Sequence, residues 1–375
     1  MKILFLTAWY PSEKSPINGI FIKEHAKAVS IFNDVIVVYS EFDQQIKTFY
    51  QIVSDRVEDG IRTIRARYKK IIFLKEIAYV FSMIRIFKKL LSNGWKPNII
   101  HAHIFLAGLP AIILGKIYHI PVIISEHWSI FSRRKMSKLK IWEARFVFHR
   151  ARIVLPVSEN LKNSITCYGI KSRFEIIPNV INTEIFFPIP QRKDNDLKKM
   201  LFVGSPSENK GFSYLLQAVS LIKTKRQDFV LDIVGDSHKR KEYEQLSIKY
   251  GIDKMLVFHG LKSKPEVAEF MRKCDFYVQP SLYETFGITI LEAIACGKPV
   301  ITTSLPVLQE KVNPDIGILV PPRNAKALAD AIEYILDHYQ QYSSNKIAQY
   351  AKYFSHEAIG KKIDSIYKRV LCTKE

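Results

Sequence analysis

Residues 276–303 read FYVQPSLYETFGITILEAIACGKPVITT. The first apolar run ends at Pro280 and predicts a strand, which is followed by a loop that contains Gly287. A helical pattern then continues to about Cys296, and a second apolar run begins at Val300. A strand, a helix and a second strand in this order make one crossover of a parallel sheet, so the stretch predicts an α/β fold.

The same alternation continues on both sides of this stretch. In the first half we predict strands at Ile3–Thr7, Val35–Tyr39, Ile99–Ala102, Val122–Ser125, Ile153–Val157 and Ile176–Ile177. In the second half we predict them at Met200–Gly204, Val230–Val234, Leu256–Phe258, Phe276–Gln279, Val300–Thr302 and Gly317–Val320. Because these strands are apolar throughout, helices are expected to cover both faces of each sheet.

Two series of strands predict two doubly wound α/β domains. A polar, proline-bearing stretch at 186–200 separates the series and has the composition of a linker. Open sheets of this type bind ligands beyond the carboxyl ends of their strands. We therefore expect the functional site in the cleft between the two domains.

The composition of the 375-residue chain is that of a globular protein, with 47% apolar and 25% charged residues. It excludes a disordered chain, a collagen and a small disulfide-stabilised fold. The four cysteines are widely separated, which favours reduced thiols in a cytoplasmic protein. The longest candidate for a membrane span, 71–84, is interrupted by Lys75 and Glu76. We interpret the apolar N-terminus as a buried strand and not as a signal peptide.

The formal net charge is +20, and most of it lies in the first half of the chain. Residues 1–190 carry +14, and within them 61–96 carries +9 and 131–152 carries +7. Both clusters are interleaved with apolar and aromatic side chains. This combination favours docking on an anionic membrane surface, with plain solvation and nucleic-acid binding as the alternatives.

The loop and helix of 283–296 carry a candidate binding site. Gly287 lacks a Cβ, so the backbone there can approach a ligand closely. The free amides and dipole at the start of the helix attract an anion such as phosphate. Glu284 and Glu292 can accept hydrogen bonds from the hydroxyls of a sugar or a ribose. The alternative is that both glutamates are merely solvated.

The spacing E-x-F-G-x-x-x-x-E, followed by A-x-x-x-G-x-P-V, resembles the donor-binding signature of retaining GT-B glycosyltransferases, in particular glycosyltransferase family 4. Other stretches similar to the family occur in its order and extend the resemblance over essentially the whole chain. They are FLTAWYPSEKSPINGIFIKEHAKAVS (5–30), HAHIFLAGLPA (101–111), SEHWSIF (125–131), LPVSENLK (155–162), IIPNVINTEIFFP (176–188), LFVGSPSENKGF (201–212), LDIVGD (231–236) and CDFYVQPS (274–281). The resemblance implies a GT-B fold, with two Rossmann-like doubly wound domains facing a central cleft.

The resemblance implies a donor-binding role for several residues of the second half. Glu284 would bind hydroxyls of the donor sugar, and Glu292 would hold the ribose of a sugar nucleotide. Lys210 would neutralise the diphosphate as it departs, which requires a fixed cation and no covalent chemistry. The backbone amides that would meet the diphosphate and the sugar are those of Phe286, Gly287 and Ile288.

In the first half, the resemblance singles out Gly19 and His127. Gly19 would face the donor phosphates and the acceptor, with an ordinary turn glycine as the alternative. His127 would contact the donor sugar. Its neighbour Glu126 is expected to orient it or to contact an acceptor hydroxyl, and His103 is a weaker candidate for shaping the acceptor site.

One position departs from the family pattern. Where the family usually has Gly-Arg-Leu, residues 204–206 read Gly-Ser-Pro, so Ser205 replaces the arginine expected beside Lys210. Arginine binds a phosphate bidentately and serine does not. We therefore expect another cation, Arg133 or Arg134, at the diphosphate, or weaker binding, or a donor of another class.

The resemblance implies no metal cofactor. Asp194, Asn195 and Asp196 have the spacing of a metal-binding Asp-x-Asp pattern, but they lie in the predicted linker and are interpreted as solvated. The implied domains are an N-terminal acceptor-binding domain (1–190), a C-terminal nucleotide-sugar-binding domain (195–355) and a last helix (356–375) that packs back on the N-terminal domain.

The function that follows is retaining transfer of a sugar from a nucleoside diphosphate sugar, with UDP or GDP as the nucleotide. The acceptor would be a glycan or a lipid-linked glycan in cell-surface polysaccharide or lipopolysaccharide biosynthesis. We expect a cytoplasmic protein that is peripheral at the inner face of the membrane and has no nucleic-acid partner. The main alternative is a non-catalytic sugar-nucleotide or glycan-binding protein on the same fold, which the Ser205 departure favours. Two further alternatives are less favoured. One is a nucleic-acid binder, which the net charge of +20 suggests. The other is a phosphorylase on the same fold, for which we find no lysine motif that would hold a pyridoxal cofactor.

Overall fold

The computed structural model describes residues 1–69, 75–133, 136–190 and 197–372. These residues form two compact units, which we call unit 1 (Met1–Val180 together with the segment that begins at His356) and unit 2 (Ile181–Ser355). Arg134 and the Asp194–Asp196 pattern lie outside the described residues.

Residues 181–190, which the sequence analysis assigned to the first domain, belong to unit 2. The backbone amide of Ile181 donates to the carbonyl oxygen of Phe354 at 2.8 Å. Phe186 is buried, and the guanidinium of Arg272 donates to the carbonyl of Ile185 and lies over the ring of Phe187. These contacts hold the segment against the rest of unit 2.

In the part of unit 1 that the structure describes, one sheet has helices beside it. Its strands are β1 (Lys2–Thr7), β2 (Asp34–Phe42), β3 (Tyr50–Glu58), β4 (Ile61–Tyr68), β5 (Ile99–His103), β6 (Val122–Glu126) and β7 (Ile153–Pro156). Its helices are α1 (Ile20–Ser30), α2 (Lys75–Ser92), α3 (Phe105–Tyr118), α4 (Lys138–Arg150), α5 (Glu159–Thr166) and, from the end of the chain, α13 (His356–Cys372). Within the described residues the strand order is β3-β4-β2-β1-β5-β6-β7.

Two strands of this sheet were missed by the sequence analysis, and one prediction was wrong. β3 and β4 form an antiparallel pair at the sheet edge, beside strands that all run parallel. β3 alternates between partly buried and exposed residues, and β4 contains three arginines, so neither resembles a fully apolar strand. The predicted strand at 176–177 does not form. Only Phe174 makes an isolated bridge there, to Val154.

The three arginines of β4 change the interpretation of the basic cluster at 61–96. Each lies within ion-pair distance of a carboxylate on the neighbouring strands or the loop that follows β2. The partners are Asp55 for Arg62 at 2.9 Å, Glu58 for Arg65 at 2.7 Å and Asp43 for Arg67 at 3.2 Å. Part of this positive charge is therefore neutralised inside the fold and is not available to a membrane.

Unit 2 has a second sheet, in which all strand pairs within the described residues are parallel. Its strands are β8 (Lys198–Val203), β9 (Phe229–Val234), β10 (Leu256–Gly260), β11 (Phe276–Gln279), β12 (Val300–Thr303) and β13 (Gly317–Val320). Its helices are α6 (Phe212–Ile222), α7 (Arg240–Tyr250), α8 (Lys264–Lys273), α9 (Ile288–Ala295), α10 (Pro306–Gln309), α11 (Ala325–His338) and α12 (Ser344–Ala351). The strand order is β10-β9-β8-β11-β12-β13.

This order confirms the predicted doubly wound topology for unit 2. The chain leaves β8 towards β10 on one side and then returns to place β11 on the other side of β8. The loops that follow β8 and β11 therefore diverge from two adjacent strands, and the crevice between such loops is the usual binding position in open α/β sheets. The core consists of the apolar strands packed against α6 and α11.

Helix α13 packs against α1 within unit 1. A Cβ built on Gly360 would lie 2.1 Å from the carbonyl oxygen of Ala28, so glycine is what permits the close approach. The amide of Asn33 donates to Asp364 at 3.0 Å at the same interface. None of the helices in the described residues combines the length and apolar character that spanning a bilayer requires.

We predict that Gly360→Ala lowers the free energy of unfolding of unit 1 by about 1–2 kcal/mol, because the overlap with Ala28 outweighs the helix propensity that alanine gains. The check is a urea titration followed by tryptophan fluorescence, since all four tryptophans of the chain lie in unit 1. Ser365→Ala, at an exposed position of α13, is the control and should not lower stability. An unchanged midpoint for Gly360→Ala would contradict the close packing.

Candidate functional site

The loops that follow β8 and β11 lie against each other at the carboxyl edge of unit 2. Gly211 ends a short 3₁₀ turn with a φ of 66°, and a Cβ there would lie 1.9 Å from the carbonyl oxygen of Pro280. The backbone amide of Leu282 donates to the carbonyl of Asn209 at 2.9 Å. The two loops are therefore joined through their backbones, and only glycine fits at the point of contact.

This contact brings together Lys210 and Glu284, two of the predicted donor-site residues. The Lys210 ammonium donates to Glu284 Oε1 at 2.5 Å, and Ser281 Oγ donates to the same oxygen at 3.0 Å. Both side chains remain partly accessible. A cation and a carboxylate thus stand side by side where a ligand that carries both phosphate and hydroxyl groups can engage each of them.

Gly287 is the N-cap of α9 and has a φ of 81°, in the left-handed region that favours glycine. The helix begins at Ile288, so the loop from Phe286 to Ile288 leads into the first turn of α9, whose amides have no partner within the helix. The contact of these amides with a diphosphate stays a prediction. Phe286 itself is buried. A Cβ on Gly287 would lie 2.8 Å from the side chain of Leu308, which packs α10 against the loop.

Glu292 is buried and not solvated, with an exposed fraction of 3%. It lies just over one turn into α9 and forms an ion pair with Lys264, the first residue of α8. Lys264 also lies 5.4 Å from the ring centroid of Phe186. The sequence analysis missed Lys264 because the partner of a buried carboxylate depends on how α8 and α9 pack, which no local pattern reports.

Further glycines line the carboxyl edge of unit 2. A Cβ on Gly235, after β9, would lie 2.1 Å from the carbonyl oxygen of Gly204, after β8. Gly260 ends β10 and accepts a hydrogen bond at its carbonyl from the Gly235 amide at 2.8 Å. The sequence signal for this edge is a glycine that follows or ends each of three successive strands.

Ser205 is an exposed residue that follows β8. Because its side chain is neutral, it supplies no positive charge at this edge. Of the two arginines suggested as substitutes, Arg133 is an exposed residue of unit 1 and Arg134 lies outside the described residues. The structure does, however, place a lysine that was not predicted beside the α9 loop. Lys311 is 5% exposed, and its ammonium lies 4.7 Å from the ring centroid of Phe286.

In unit 1, Gly19 is the N-cap of α1 and has a φ of 70°. A Cβ there would lie 2.6 Å from the backbone of Trp9, in the loop that follows β1. The conformation and the contact both require glycine. The loop that Gly19 shapes follows β1, and β1 pairs with β5 at the point where the strand order of this sheet reverses.

His127 follows β6 and is 7% exposed. Its Nδ1 lies 2.9 Å from Asn179 Oδ1, which can only accept, so Nδ1 carries the proton. Its Nε2 then accepts from His103 Nδ1 at 3.2 Å. Both ring nitrogens are therefore bonded within unit 1, and the predicted contact of His127 with a donor sugar stays a prediction.

Glu126 is hydrogen-bonded to the backbone amide of His127. Its fully buried carboxylate accepts from the amides of Phe105, His127 and Trp128 at 2.9, 2.9 and 2.8 Å. Burial raises the pKa of Glu126 to about 7, although the three amides oppose the rise. The carboxylate ties the start of α3 to the loop after β6.

Four histidines form a buried group around this loop. They are His25, His101, His103 and His127, with adjacent ring centroids 4.4–5.7 Å apart. Burial lowers the pKa of His25 to about 4 and lowers the pKa of each of the other three well below its ordinary value. Unit 1 therefore folds with these rings neutral.

Two family models match the chain. The one described as Glycosyltransferase Family 4 matches residues 33–185, and the one described as Glycosyl transferases group 1 matches residues 184–354. An uncharacterized glycosyltransferase of Methanocaldococcus jannaschii is 30% identical over 264 residues, which cover 70% of this chain and 72% of that protein. The chain belongs to glycosyltransferase family 4.

Solved structures confirm the fold of this glycosyltransferase. The sucrose-phosphate synthase of Thermosynechococcus elongatus superimposes with a TM-score of 0.80 at 21% identity and covers all of both chains. The Anabaena protein HepE, solved with UDP and glucose, superimposes with a TM-score of 0.74 at 18% identity and covers 98% of this chain and 99% of that one. Both likenesses support the GT-B class with two Rossmann-like α/β domains.

The neutral histidines predict acid sensitivity of unit 1. Below about pH 6.5 the unfolded chain binds protons that the folded unit excludes, so its free energy of unfolding should fall as the pH drops from 6.5 towards 4.5. Each histidine contributes up to about 1.4 kcal/mol per pH unit. Glu126 has the opposite effect on the free energy of unfolding, because its carboxyl in the folded unit holds a proton between about pH 7 and 4.5, where the unfolded chain releases it. The four histidines together outweigh this single carboxyl.

The measurement is the urea midpoint by tryptophan fluorescence at pH 7.5, 6.5, 5.5 and 4.8. His25→Phe keeps a ring of similar size and removes one titrating group, so its midpoint should fall less steeply. A wild-type midpoint that stays constant from pH 6.5 to 4.8 would show that these rings are not held neutral.

Proposed function

We propose that the chain is a retaining glycosyltransferase that moves a sugar from a nucleoside diphosphate sugar to a glycan or lipid-linked acceptor. The observation that carries the proposal is the Lys210–Glu284 pair. It lies near the start of α9, in the loops that follow the adjacent strands β8 and β11 of unit 2. A site with a cation, free helix amides and a carboxylate matches a molecule that has both phosphates and sugar hydroxyls.

The donor would engage this site group by group. Its diphosphate would lie at the backbone amides of 286–288. There it would replace Glu284 as the ion-pair partner of Lys210. Glu284, released from Lys210, would accept from hydroxyls of the sugar. Glu292, already held by Lys264, would accept from the ribose hydroxyls. UDP is the first nucleotide to consider because the related fold of Anabaena HepE was solved with it, with GDP as the second.

The chemistry requires positioning and charge stabilisation, with no covalent step on the protein. The bond between the anomeric carbon and the phosphate oxygen breaks as the acceptor oxygen bonds to the same face of the sugar. The acceptor proton passes to the departing phosphate oxygen. Negative charge grows on the diphosphate in this step, and Lys210 with the amides at the start of α9 stabilises it. Transfer on one face predicts retention of configuration.

A cavity in unit 1 supports an acceptor role for that unit. It has a volume of about 370 Å³ and is lined by residues that include Trp9, Tyr79, Glu76 and Glu143. The hydroxyl of Tyr79 is buried and has no hydrogen-bond partner among the described residues. Aromatic rings with carboxylates suit a carbohydrate, since sugar rings offer apolar faces and hydroxyl donors.

A membrane-docking role is carried by the exposed face of α4, which we call the α4 face. Leu139 and Trp142 are 74% and 63% exposed, and Trp142 stacks on Phe146 with ring centroids 5.6 Å apart. The exposed basic residues Lys138 and Arg150 belong to the same helix. An apolar stripe with basic neighbours suits an anionic lipid surface at the cytoplasmic side. This docking would fit a lipid-linked acceptor in cell-surface polysaccharide or lipopolysaccharide assembly.

The donor proposal predicts that one nucleoside diphosphate among UDP, GDP and ADP raises the melting temperature. At 100 times its dissociation constant it would stabilise by about 2.7 kcal/mol, which is a shift of a few degrees. Glu292→Gln should lose most of the shift, whereas Glu242→Gln, at an exposed position of α7, should keep it. Turnover of the matching sugar nucleotide, with the anomer of the product assigned by NMR, tests retention.

Three experimental results would distinguish the proposed transferase from its alternatives. Absence of any shift and of any donor hydrolysis would refute the donor site. A shift without hydrolysis or transfer would favour the non-catalytic binding protein. Transfer with inverted configuration would keep the site and refute the same-face route.

The membrane proposal predicts cosedimentation with vesicles that contain phosphatidylglycerol and not with pure phosphatidylcholine, and weaker binding at high salt. Replacing Leu139 and Trp142 together by Ser should weaken binding by at least about tenfold through lost apolar burial. Ile248→Ser, an equally exposed apolar position on α7 in unit 2, is the control. Equal binding of all three proteins would show that the α4 face does not dock.

A further inference from the structure

Lys311 is a buried cation beside the proposed donor site. Its ammonium donates to the carbonyl of Val307 at 2.6 Å and lies over the Phe286 ring at 4.7 Å from the centroid. Among the described residues, no carboxylate oxygen lies within 4.0 Å of this ammonium. Buried charges in proteins are normally paired, because removing an ion from water is costly. The missing counter-charge therefore requires an explanation.

The surroundings of Lys311 offer only distant negative charge. The carboxylates that act on it electrostatically are Glu310, its neighbour in the chain, and Glu284, which is already bonded to Lys210. The ring of Tyr350 also faces this region, and its hydroxyl donates to the carbonyl of Glu310 at 3.2 Å. Burial lowers the pKa of Lys311 to about 8, so near neutral pH the group is charged but holds its proton weakly.

The ring of Phe286 connects this cation to the loop that precedes α9. Gly287 follows Phe286 directly and caps the helix, while Leu308, three residues before Lys311, packs against Gly287. The ammonium thus lies behind the segment whose amides are proposed to face the diphosphate. Its field adds to that of the helix N-terminus in a region from which water is largely excluded.

We propose that Lys311 supplies, through the Phe286–Gly287 loop, the second positive charge that the donor diphosphate requires, in place of the arginine that Ser205 replaces. The proposal rests on the donor site described above. Lys311 acts as a positioning residue and not as a catalytic residue, because its ammonium lies behind the loop. The counter-charge of the Lys311 ammonium is then the diphosphate of the bound donor. This would explain why a buried lysine has no carboxylate partner in the protein.

This arrangement has a signature in proton uptake. An anion bound near Lys311 favours the charged lysine, so binding should draw a proton from solvent at a pH near 8. As the pH rises from 7 to 9, wild-type affinity for the nucleotide should fall, because a neutral lysine must first be protonated. A lysine that merely fills space would produce neither effect.

The test is calorimetric titration of UDP, GDP and ADP into the full-length wild-type protein, Lys311→Met and Lys326→Met at pH 7.0, 8.0 and 8.8. Two buffers of different ionisation enthalpy report the protons taken up. Lys326 is an exposed lysine of α11 paired with Asp330, which makes it the matched control. Ionisation of the nucleotide is common to all three proteins and cancels in the comparison.

We expect Lys311→Met to bind the nucleotide about tenfold more weakly at pH 7, with less pH dependence and no proton uptake. Its melting temperature without ligand should be unchanged or higher, since methionine removes a buried charge and keeps the chain length. Lys326→Met should behave as the wild type. Lower stability together with lower affinity and an unchanged pH profile would assign Lys311 a structural role and overturn the proposal.

Two other outcomes are decisive. Equal affinity and equal pH dependence in wild type and Lys311→Met would overturn the role of Lys311 while the donor site stands. If no nucleoside diphosphate binds the wild type, the donor site itself fails and the role of Lys311 fails with it.

Discussion

The backbone contact between Gly211 and Pro280 is the constraint on which the proposed donor site of this glycosyltransferase depends. Two adjacent parallel strands end at the same edge, and their following loops lead the chain in opposite directions. Without a close contact the loops would separate and leave Lys210 and Glu284 apart. Because residue 211 has no Cβ, the loops meet at their backbones, and the cation and the carboxylate are held together by the fold and not only by their own attraction.

Charge in this protein is used in two distinct ways. The arginines of β4 are bonded to carboxylates of neighbouring segments and stabilise the sheet edge. The lysines around α9 differ among themselves, since Lys210 and Lys264 have carboxylate partners and Lys311 lies behind an aromatic ring. A net charge of +20 therefore says little about which surface is attractive to an anion until each side chain is placed.

The sequence predicts the apolar strands well because both faces of a parallel sheet are buried, so each strand is a short apolar run with helices on either side. The strands over 276–279 and 317–320 were predicted at their observed ends. β3 and β4 were missed because an edge pair tolerates exposed and charged residues, and its arginines look like a surface cluster when their partners are unknown. The motif predicted the α9 loop, whereas Lys264 and Lys311 required the packing of α8 and α10, since neither belongs to a local pattern.

The position of α13 in the chain has a consequence for biosynthesis. Unit 1 includes residues 1–180, but its helix α13 is translated only after the whole of unit 2. The surface of α1 around Ala28 therefore has no packing partner until α13 has been synthesised. Unit 2 is one continuous segment and can complete its own fold first. The contact between α1 and α13 closes a loop of more than three hundred residues, and such distant contacts form late. A nascent chain interrupted anywhere before His356 would therefore expose the apolar face of α1 to chaperones.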